Sequence, residues 1–223
     1  MNEVAAGRSL ARDTGVITVL TLFSRLTGLA RIAIVSAVLG ATLLGDVYQG
    51  ANMVPTLLFE LIAGGAIQAV LVPLFVRQAD RGDEHANRAF GVVLGTFVAY
   101  AAVASALLAA LAPVISRLIA TGSGVSFDDR VRVGTLFLAL FAPQMIFYAI
   151  GAVSAAQLQA QRKFIAGAIA PACNNVVVII VYLLFYWVAG DAPVLTQPTW
   201  HLLLLAGGTT LAVVAFTSVP LVF

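Results

Sequence analysis

The stretch Ser24–Pro73 reads SRLTGLARIAIVSAVLGATLLGDVYQGANMVPTLLFELIAGGAIQAVLVP and contains two long apolar segments. Four charged residues interrupt them, namely Arg25, Arg31, Asp46 and Glu60. An arginine at the centre of a membrane helix costs about 2.5 to 3.5 kcal/mol on insertion scales, so such a residue usually faces a watery cavity, a partner charge or a ligand. The sequence therefore places the functional site at these four positions.

The composition of the whole chain agrees with membrane helices. Hydrophobic residues make up 61% and charged residues 10% of the 223 residues, and the mean hydropathy is +1.02. Soluble domains contain about 45 to 50% apolar and about 25% charged residues. The sequence therefore predicts an all-α, polytopic membrane protein.

Composition and motifs also argue against other classes of protein. The formal net charge of +2 is small, and no basic run is interleaved with aromatic residues as in a nucleic-acid groove. Cys173 is the single cysteine, which leaves no pair for a disulfide or a metal. No GxxxxGK[ST], HExxH, GxSxG or CxxC motif is present. We expect no metal and no cofactor, and we interpret the protein as a transporter rather than an enzyme.

The apolar runs predict six transmembrane helices that form one lobe over residues 14–223, after a cytoplasmic lead of residues 1–13. The predicted helices are Thr14–Leu39, Asp46–Val76, Arg88–Leu111, Arg132–Gln159, Ile165–Val188 and Trp200–Phe223. The last helix reaches Phe223 without a charged segment after it. We therefore expect an N-terminal portion of a longer protein, with a second lobe as its partner.

The distribution of Lys and Arg predicts the orientation of these helices. With the N-terminus in the cytoplasm, more basic residues lie on the cytoplasmic side than outside. The cytoplasmic set is Arg8, Arg12, Arg77, Arg81, Arg88, Arg162 and Lys163, and the outer set is Arg117, Arg130 and Arg132. The positive-inside rule thus favours a cytoplasmic N-terminus.

Arg25 and Arg31 are the strongest candidates for binding an anion. Their planar guanidinium groups suit a phosphate or a pyrophosphate. Six residues separate them, which is about 120° around a helix and about 9 Å along it. They converge on one ligand only if they line a broad cavity or if the helix bends at Gly28. The alternative is a pair of arginines satisfied by carboxylates and carbonyls inside the bundle.

Glu60 is the expected partner of Arg25. If the first two helices form an antiparallel hairpin that turns near Leu43, Arg25 and Glu60 lie at the same depth, and Arg31 remains available for a ligand. Glu60 is then either a structural counter-ion or a residue that couples transport to a cation or a proton. Asp46 is expected at the start of the second helix, where a carboxylate also stabilises the helix dipole.

Other residues are candidates for hinges or for the cavity wall. Pro55, like Gly28, lies inside an apolar helix where a bend is possible, and Gly64 and Gly65 allow either close packing or a hinge. Asn174 and Asn175 follow Pro171, and their amides either line a cavity or bond between helices.

Several of these segments resemble one family of transporters. The resemblance rests on SRLTGLAR at Ser24–Arg31, on Gly40 followed by Asp46 and Pro55, on GGAIQAVLVP ending at Pro73, and on GAVSAAQLQAQRKFIAGAIAPACNN at Gly151–Asn175. Together they are similar to the N-terminal signature of the MurJ/MviN lipid II flippases. The resemblance extends over most of the chain, and its most specific part is SR..G..R with its spacing to Asp46.

The resemblance implies a MATE-like lobe of the MOP superfamily in the bacterial plasma membrane. Such a protein moves lipid II, the undecaprenyl-pyrophosphate-linked peptidoglycan precursor, across the membrane by alternating access and without an ATPase. Its functional arginines correspond to Arg25 and Arg31, and its functional aspartate corresponds to Asp46.

One departure from the family pattern leaves alternatives open. Phe59 and Glu60 stand where the family usually has an arginine pair, so the cavity loses positive charge and gains a carboxylate. The first alternative is a MATE-like antiporter or polysaccharide-lipid exporter in which Glu60 is the coupling carboxylate. The second is a membrane scaffold for cell-wall synthesis that transports nothing.

Overall fold

Eight α-helices make up the regular structure in the described part of the chain. The computed structural model describes residues 2–40, 42–63, 66–120, 126–163, 165–190, 195 and 197–222. The helices are α1 Asn2–Val38, α2 Leu43–Ala63, α3 Ala66–Ala79, α4 Asp83–Ile119, α5 Ser126–Phe141, α6 Gln144–Ala160, α7 Ile165–Ala189 and α8 Thr199–Val222.

These helices confirm the prediction of an all-α, polytopic membrane protein. Five segments are long and apolar enough to cross a membrane: Thr18–Val38, Asp83–Ile119, Ser126–Ala160, Ile165–Ala189 and Thr199–Val222. The predicted second span corresponds to α2 and α3 together. Its glycine pair, Gly64 and Gly65, lies outside the described residues.

The predicted helix boundaries need correction at the first and third spans. α1 begins at Asn2 rather than Thr14, so the polar lead is helical, and α4 extends beyond Arg88–Leu111 in both directions. Hydropathy detects the apolar part of a helix and not its polar ends, so it underestimates the length of both helices. The fifth and sixth spans agree with prediction to within one residue at each end.

Between α1 and α2, a glycine ends the first helix and a threonine caps the start of the second. Gly40 has a φ of 51°, the left-handed conformation that commonly ends a helix. The Gly45 N–H donates to the Thr42 hydroxyl at 3.1 Å, so Thr42 caps α2. Asp46 lies in the first turn rather than at its predicted starting position, and there it still stabilises the helix dipole.

The predicted continuous fourth helix is broken into α5 and α6 at Ala142 and Pro143. Proline has no N–H, and its ring clashes with the preceding turn of a helix. At the break, the Met145 N–H donates to the Ala142 carbonyl three residues earlier, at 3.2 Å, whereas a regular α-helix bonds four residues back. Together, residues Ser126–Ala160 are long and apolar enough for one membrane crossing.

The first hairpin differs from the expected antiparallel pair, because α1 packs along α7 rather than along α2. α7 also packs along α8, and Gly208 makes that approach close: a Cβ built on Gly208 would lie 2.5 Å from Val181 Cγ1. α2 packs on α5, while α3 and α4 pack on α6. α1 and α2 consequently stand on two sides of a space that other helices enclose.

Two apolar cores flank that space. The larger core includes Leu39, Tyr48, Phe137, Phe141 and Phe185, and it fills the end of the lobe where α1 joins α2. The smaller core includes Leu71 and Phe75 of α3 with Val153 and Ala156 of α6, and it lies near the other end.

Candidate functional site

A cavity of about 430 Å³ lies between α1, α2, α6, α7 and α8. Most of its lining side chains are polar, although the helices that contribute them are predominantly apolar. Its wall is formed by Arg31, Ile32, Val35, Ser36, Tyr48, Gln49, Asn52, Thr56, Tyr148, Asn174, Val178, Tyr182, Thr209, Val213 and Phe216. Polar groups at membrane depth need hydrogen-bonding partners, so this cavity is the candidate site.

Arg31 supplies the positive charge of the cavity. It is the only charged residue among the described residues of the lining, which also contains the three tyrosines Tyr48, Tyr148 and Tyr182. An ion pair at the α5 end joins Arg132 and Asp129. Among the described side chains, no carboxylate pairs with Arg31, so an anionic ligand in the cavity would neutralise its charge.

Tyr48 closes the cavity toward the α1–α2 end. Its hydroxyl bonds the Thr209 hydroxyl at 2.7 Å, and its ring meets those of Phe137 and Phe141 edge-on, with centroids 5.6 Å apart in each case. The Tyr182 ring packs beside it at 5.9 Å. Tyr48 is 1% exposed, so this end of the cavity is sealed by packed aromatic rings.

A second hydrogen-bonded chain runs along the wall formed by α2, α6 and α8. Tyr148 Oη lies 3.2 Å from both Thr56 Oγ1 and Gln144 Oε1. Gln144 Nε2 donates to Thr210 Oγ1 at 3.2 Å, and Thr210 donates to the Leu140 carbonyl at 3.1 Å. Gln144 is fully buried. The chain therefore connects the cavity to the break between α5 and α6.

The two predicted arginines occupy different environments. Arg31 is half-buried in the cavity wall, whereas Arg25 is exposed and does not line the cavity. α1 is continuous through Gly28, so the two side chains keep the angular separation of a regular helix. Gly28 lies where α1 meets α7, and a Cβ there would be 3.5 Å from Asn175 Nδ2. Gly28 therefore packs against α7, and its role as a hinge stays a prediction.

The expected ion pair between Arg25 and Glu60 is absent from the structure, so that expectation was wrong. Both side chains are exposed, and neither forms an ion pair with a described residue. The physical reason is the packing of α1 along α7, which removes the hairpin that would have put the two residues together. The neighbouring Phe59 packs toward the cavity wall, with its ring 5.7 Å from that of Tyr148.

Asp46 lies apart from Arg31. It lines a separate pocket of about 80 Å³ at the α1–α2 end, together with Gly50, Ser116, Arg130 and Gly134. The structure thus does not bring the three predicted substrate-binding residues Arg25, Arg31 and Asp46 into one cavity of this lobe.

The two asparagines divide between the two predicted roles. Asn174 lines the cavity. Asn175 instead donates to the Ser24 carbonyl and to Thr27 Oγ1, each at 3.3 Å, and so fastens α7 to α1. Side chains of adjacent residues on a helix point about 100° apart. Asn174 can therefore face the cavity while Asn175 faces α1.

The predicted hinges fall partly outside the described chain. Pro55 is buried inside α2, which continues through it to Ala63. Gly64 and Gly65 lie outside the described residues. The break that the structure does show is at Ala142 and Pro143.

Sequence reasoning missed Thr56, Tyr148 and Gln144. Each is a single polar residue in an apolar segment, and none carries a charge that would draw attention. The available signal was Gln144 directly after Pro143, because a buried amide beside a helix break has freed backbone groups to bond.

Comparison with known proteins identifies relatives over most of the chain. The family model described as "Lipid II flippase MurJ" matches residues 35–223. A Rhizobium tropici protein named "Probable lipid II flippase MurJ" is 32% identical over 202 residues, which cover 87% of this chain and 37% of that protein.

Two further relatives carry related names. The Synechocystis sp. protein, also named a probable lipid II flippase MurJ, is 28% identical over 92% of this chain and 38% of its own length. The Burkholderia cenocepacia protein, named "Lipid II flippase MurJ", is 27% identical over 70% of this chain and 30% of its own length. The chain spans about a third of the length of these relatives.

Proposed function

Because the chain belongs to the MurJ family, whose model matches residues 35–223, we propose that it forms the N-terminal lobe of a lipid II flippase. In this proposal the protein moves lipid II, with its undecaprenyl-pyrophosphate anchor, across the bacterial plasma membrane by alternating access. It acts as a transporter and not as an enzyme, and a second lobe completes the path. The N-terminus lies in the cytoplasm, as the distribution of Lys and Arg predicts.

One observation carries the proposal: a polar cavity of about 430 Å³ inside a membrane lobe contains Arg31 without a carboxylate partner among the described residues. A cation at membrane depth is costly unless something compensates it. Arginine's forked donors match the oxygens of a phosphate. We assign Arg31 to the pyrophosphate, while the lipid tail remains in the bilayer.

Arg25 and Asp46 take different roles in this proposal. Arg25 lies on another face of α1 and is exposed, which suits contact with the headgroup as it enters or leaves the lobe. Asp46, in the pocket at the α1–α2 end, meets the substrate only at that end of the path. A membrane potential biases charge movement by about 2.3 kcal/mol per charge per 100 mV, so it is an available energy source for the cycle.

The test is lipid II binding by the full-length protein in detergent, measured by native mass spectrometry. Arg31→Ala should weaken binding by about tenfold or more, because a charge-assisted hydrogen bond contributes roughly 1.5 to 3 kcal/mol. Arg132→Ala is the matched control, since Arg132 is an exposed arginine outside the cavity that pairs with Asp129. A proteoliposome assay of headgroup access from the opposite leaflet then tests transport.

The rival functions predict different results. A folded wild-type protein that does not bind lipid II, together with export that Glu60→Gln abolishes, would favour the antiporter or exporter. Unchanged cell growth with Arg31→Ala, together with retained binding to cell-wall proteins, would favour the scaffold.

A further inference from the structure

Each hydrogen bond in the chain along the α2–α6–α8 wall can have only one of its two partners as the donor. The Leu140 carbonyl can only accept, so Thr210 uses its one hydroxyl hydrogen there. Thr210 must then accept from Gln144 Nε2, which leaves Gln144 Oε1 facing Tyr148. Tyr148 donates its only hydrogen to that oxygen. The remaining bond, between Tyr148 and Thr56, is therefore donated by Thr56.

This direction decides what the cavity edge presents to a ligand. The hydroxyl hydrogens of Thr56 and Tyr148 are both consumed within the chain, while lone pairs remain on both oxygens. Both residues line the cavity. These two hydroxyl groups accordingly offer a ligand hydrogen-bond acceptors and no donor.

The same reasoning applies to the tyrosine at the closed end. Thr209 donates to the Leu205 carbonyl at 2.7 Å, so the Tyr48 hydroxyl donates to Thr209 and keeps only lone pairs. Arg31 is the opposing cationic element of the cavity.

We propose that Thr56 and Tyr148 form an acceptor subsite that binds the hydroxyl and amide N–H groups of a saccharide, while Arg31 holds the anionic part of the same ligand. Gln144 is a positioning residue in this arrangement, because it fixes the direction of the Tyr148 hydroxyl. The subsite deepens the proposed function and rests on it, since it assigns the sugar portion of a lipid-linked pyrophosphate to one wall of the cavity.

The test compares two lipids on the full-length protein by native mass spectrometry. Lipid II carries the saccharide, and undecaprenyl pyrophosphate has the same tail and pyrophosphate without it. Thr56→Val, which keeps the side chain's shape, should weaken lipid II binding by about tenfold, as expected for one lost hydrogen bond. Binding of undecaprenyl pyrophosphate should stay unchanged. Tyr148→Phe should act in the same direction, and Arg31→Ala should weaken both lipids.

The control is Thr96→Val, because Thr96 is an exposed threonine of α4 whose hydroxyl bonds the Val92 carbonyl of its own helix. Equal losses for both lipids with Thr56→Val, or no loss for lipid II with either cavity variant, would overturn the subsite. A folded wild type that binds neither lipid would overturn the proposed function itself, and the subsite with it.

Discussion

The Thr210 hydroxyl donates to the Leu140 carbonyl at 3.1 Å, across the seam between α8 and α5. This carbonyl lies three residues before Pro143, where the regular helix bonds stop. Seven residues further on, about two helical turns, Thr217 donates to the Phe147 carbonyl, also at 3.1 Å. Side chains of α8 thus bond carbonyls on both sides of the break.

We expect Thr210→Val to lower the stability of the protein, because the change leaves both the Leu140 carbonyl and the Gln144 amide without Thr210 as their partner. Unsatisfied buried groups cost about 1 to 3 kcal/mol each. Thr210→Ser keeps the hydroxyl and should lose much less. Thermal unfolding of the two variants in the same detergent measures the difference, and equal midpoints would contradict a role for this bond.

The two adjacent glycines of α8 should respond oppositely to an added methyl group. A Cβ on Gly208 would overlap both methyl groups of Val181, at 2.5 Å from each, whereas a Cβ on Gly207 meets nothing within 4 Å. Gly208→Ala should therefore destabilise the protein by about 1 to 3 kcal/mol through overpacking. Gly207→Ala should be neutral or stabilise it by up to about 1 kcal/mol through helix propensity.

Each of these two variants is the control for the other, because the substituted glycines are adjacent in the same helix. The thermal midpoint of each in detergent is the measurement. A tolerated Gly208→Ala would mean that α7 and α8 separate easily at this point.

The packing of α1 on α7 predicts which engineered cysteines form a disulfide. In a Cys173→Ala background, Thr27→Cys with Asn175→Cys should cross-link on mild oxidation, since those two side chains are hydrogen-bonded at 3.3 Å. Arg25→Cys with Glu60→Cys, the pair expected from an α1–α2 hairpin, should not. Mass spectrometry of tryptic fragments reads out both. If Arg25→Cys and Glu60→Cys cross-linked and the other pair did not, α1 would pack along α2, as the sequence predicted.

The sequence predicted those features of the fold that depend on local chemistry. Apolar runs of sufficient length gave the spans, and a charge within one of them identified Arg31 as a cavity residue, because burying that charge elsewhere is costly. Asn174 and Asn175 were identified because a polar amide inside an apolar helix needs a hydrogen-bonding partner. These predictions needed no knowledge of neighbouring helices.

What the sequence could not predict depends on contacts between distant helices. The hydropathy of α1 does not say whether it packs on α2 or on α7, since its apolar side chains face lipid or protein equally well. The pairing of Arg25 with Glu60 failed for this reason. Gln144 and Tyr148 were missed because their role comes from Thr56 and Thr210, which are far away along the chain.

Tyr48 provides the last prediction, because its ring and its hydroxyl have separate roles. Tyr48→Phe keeps the edge-on contacts with Phe137 and Phe141 and removes one donor to Thr209. Thr209 still bonds the Leu205 carbonyl, so the loss should be about 1 kcal/mol. Tyr48→Ala removes the packed ring and should cost about 3 to 5 kcal/mol, as for other large core residues.

Both Tyr48 variants are compared with wild type by thermal unfolding, and lipid binding is measured for whichever remain folded. Since the Tyr48 hydroxyl has no hydrogen left to donate to an anion, Tyr48→Phe should bind undecaprenyl pyrophosphate as tightly as wild type. A large loss of that binding in a stable Tyr48→Phe protein would show that the hydroxyl turns toward the ligand. The direction of hydrogen bonding at the closed end of the cavity would then have to be reversed.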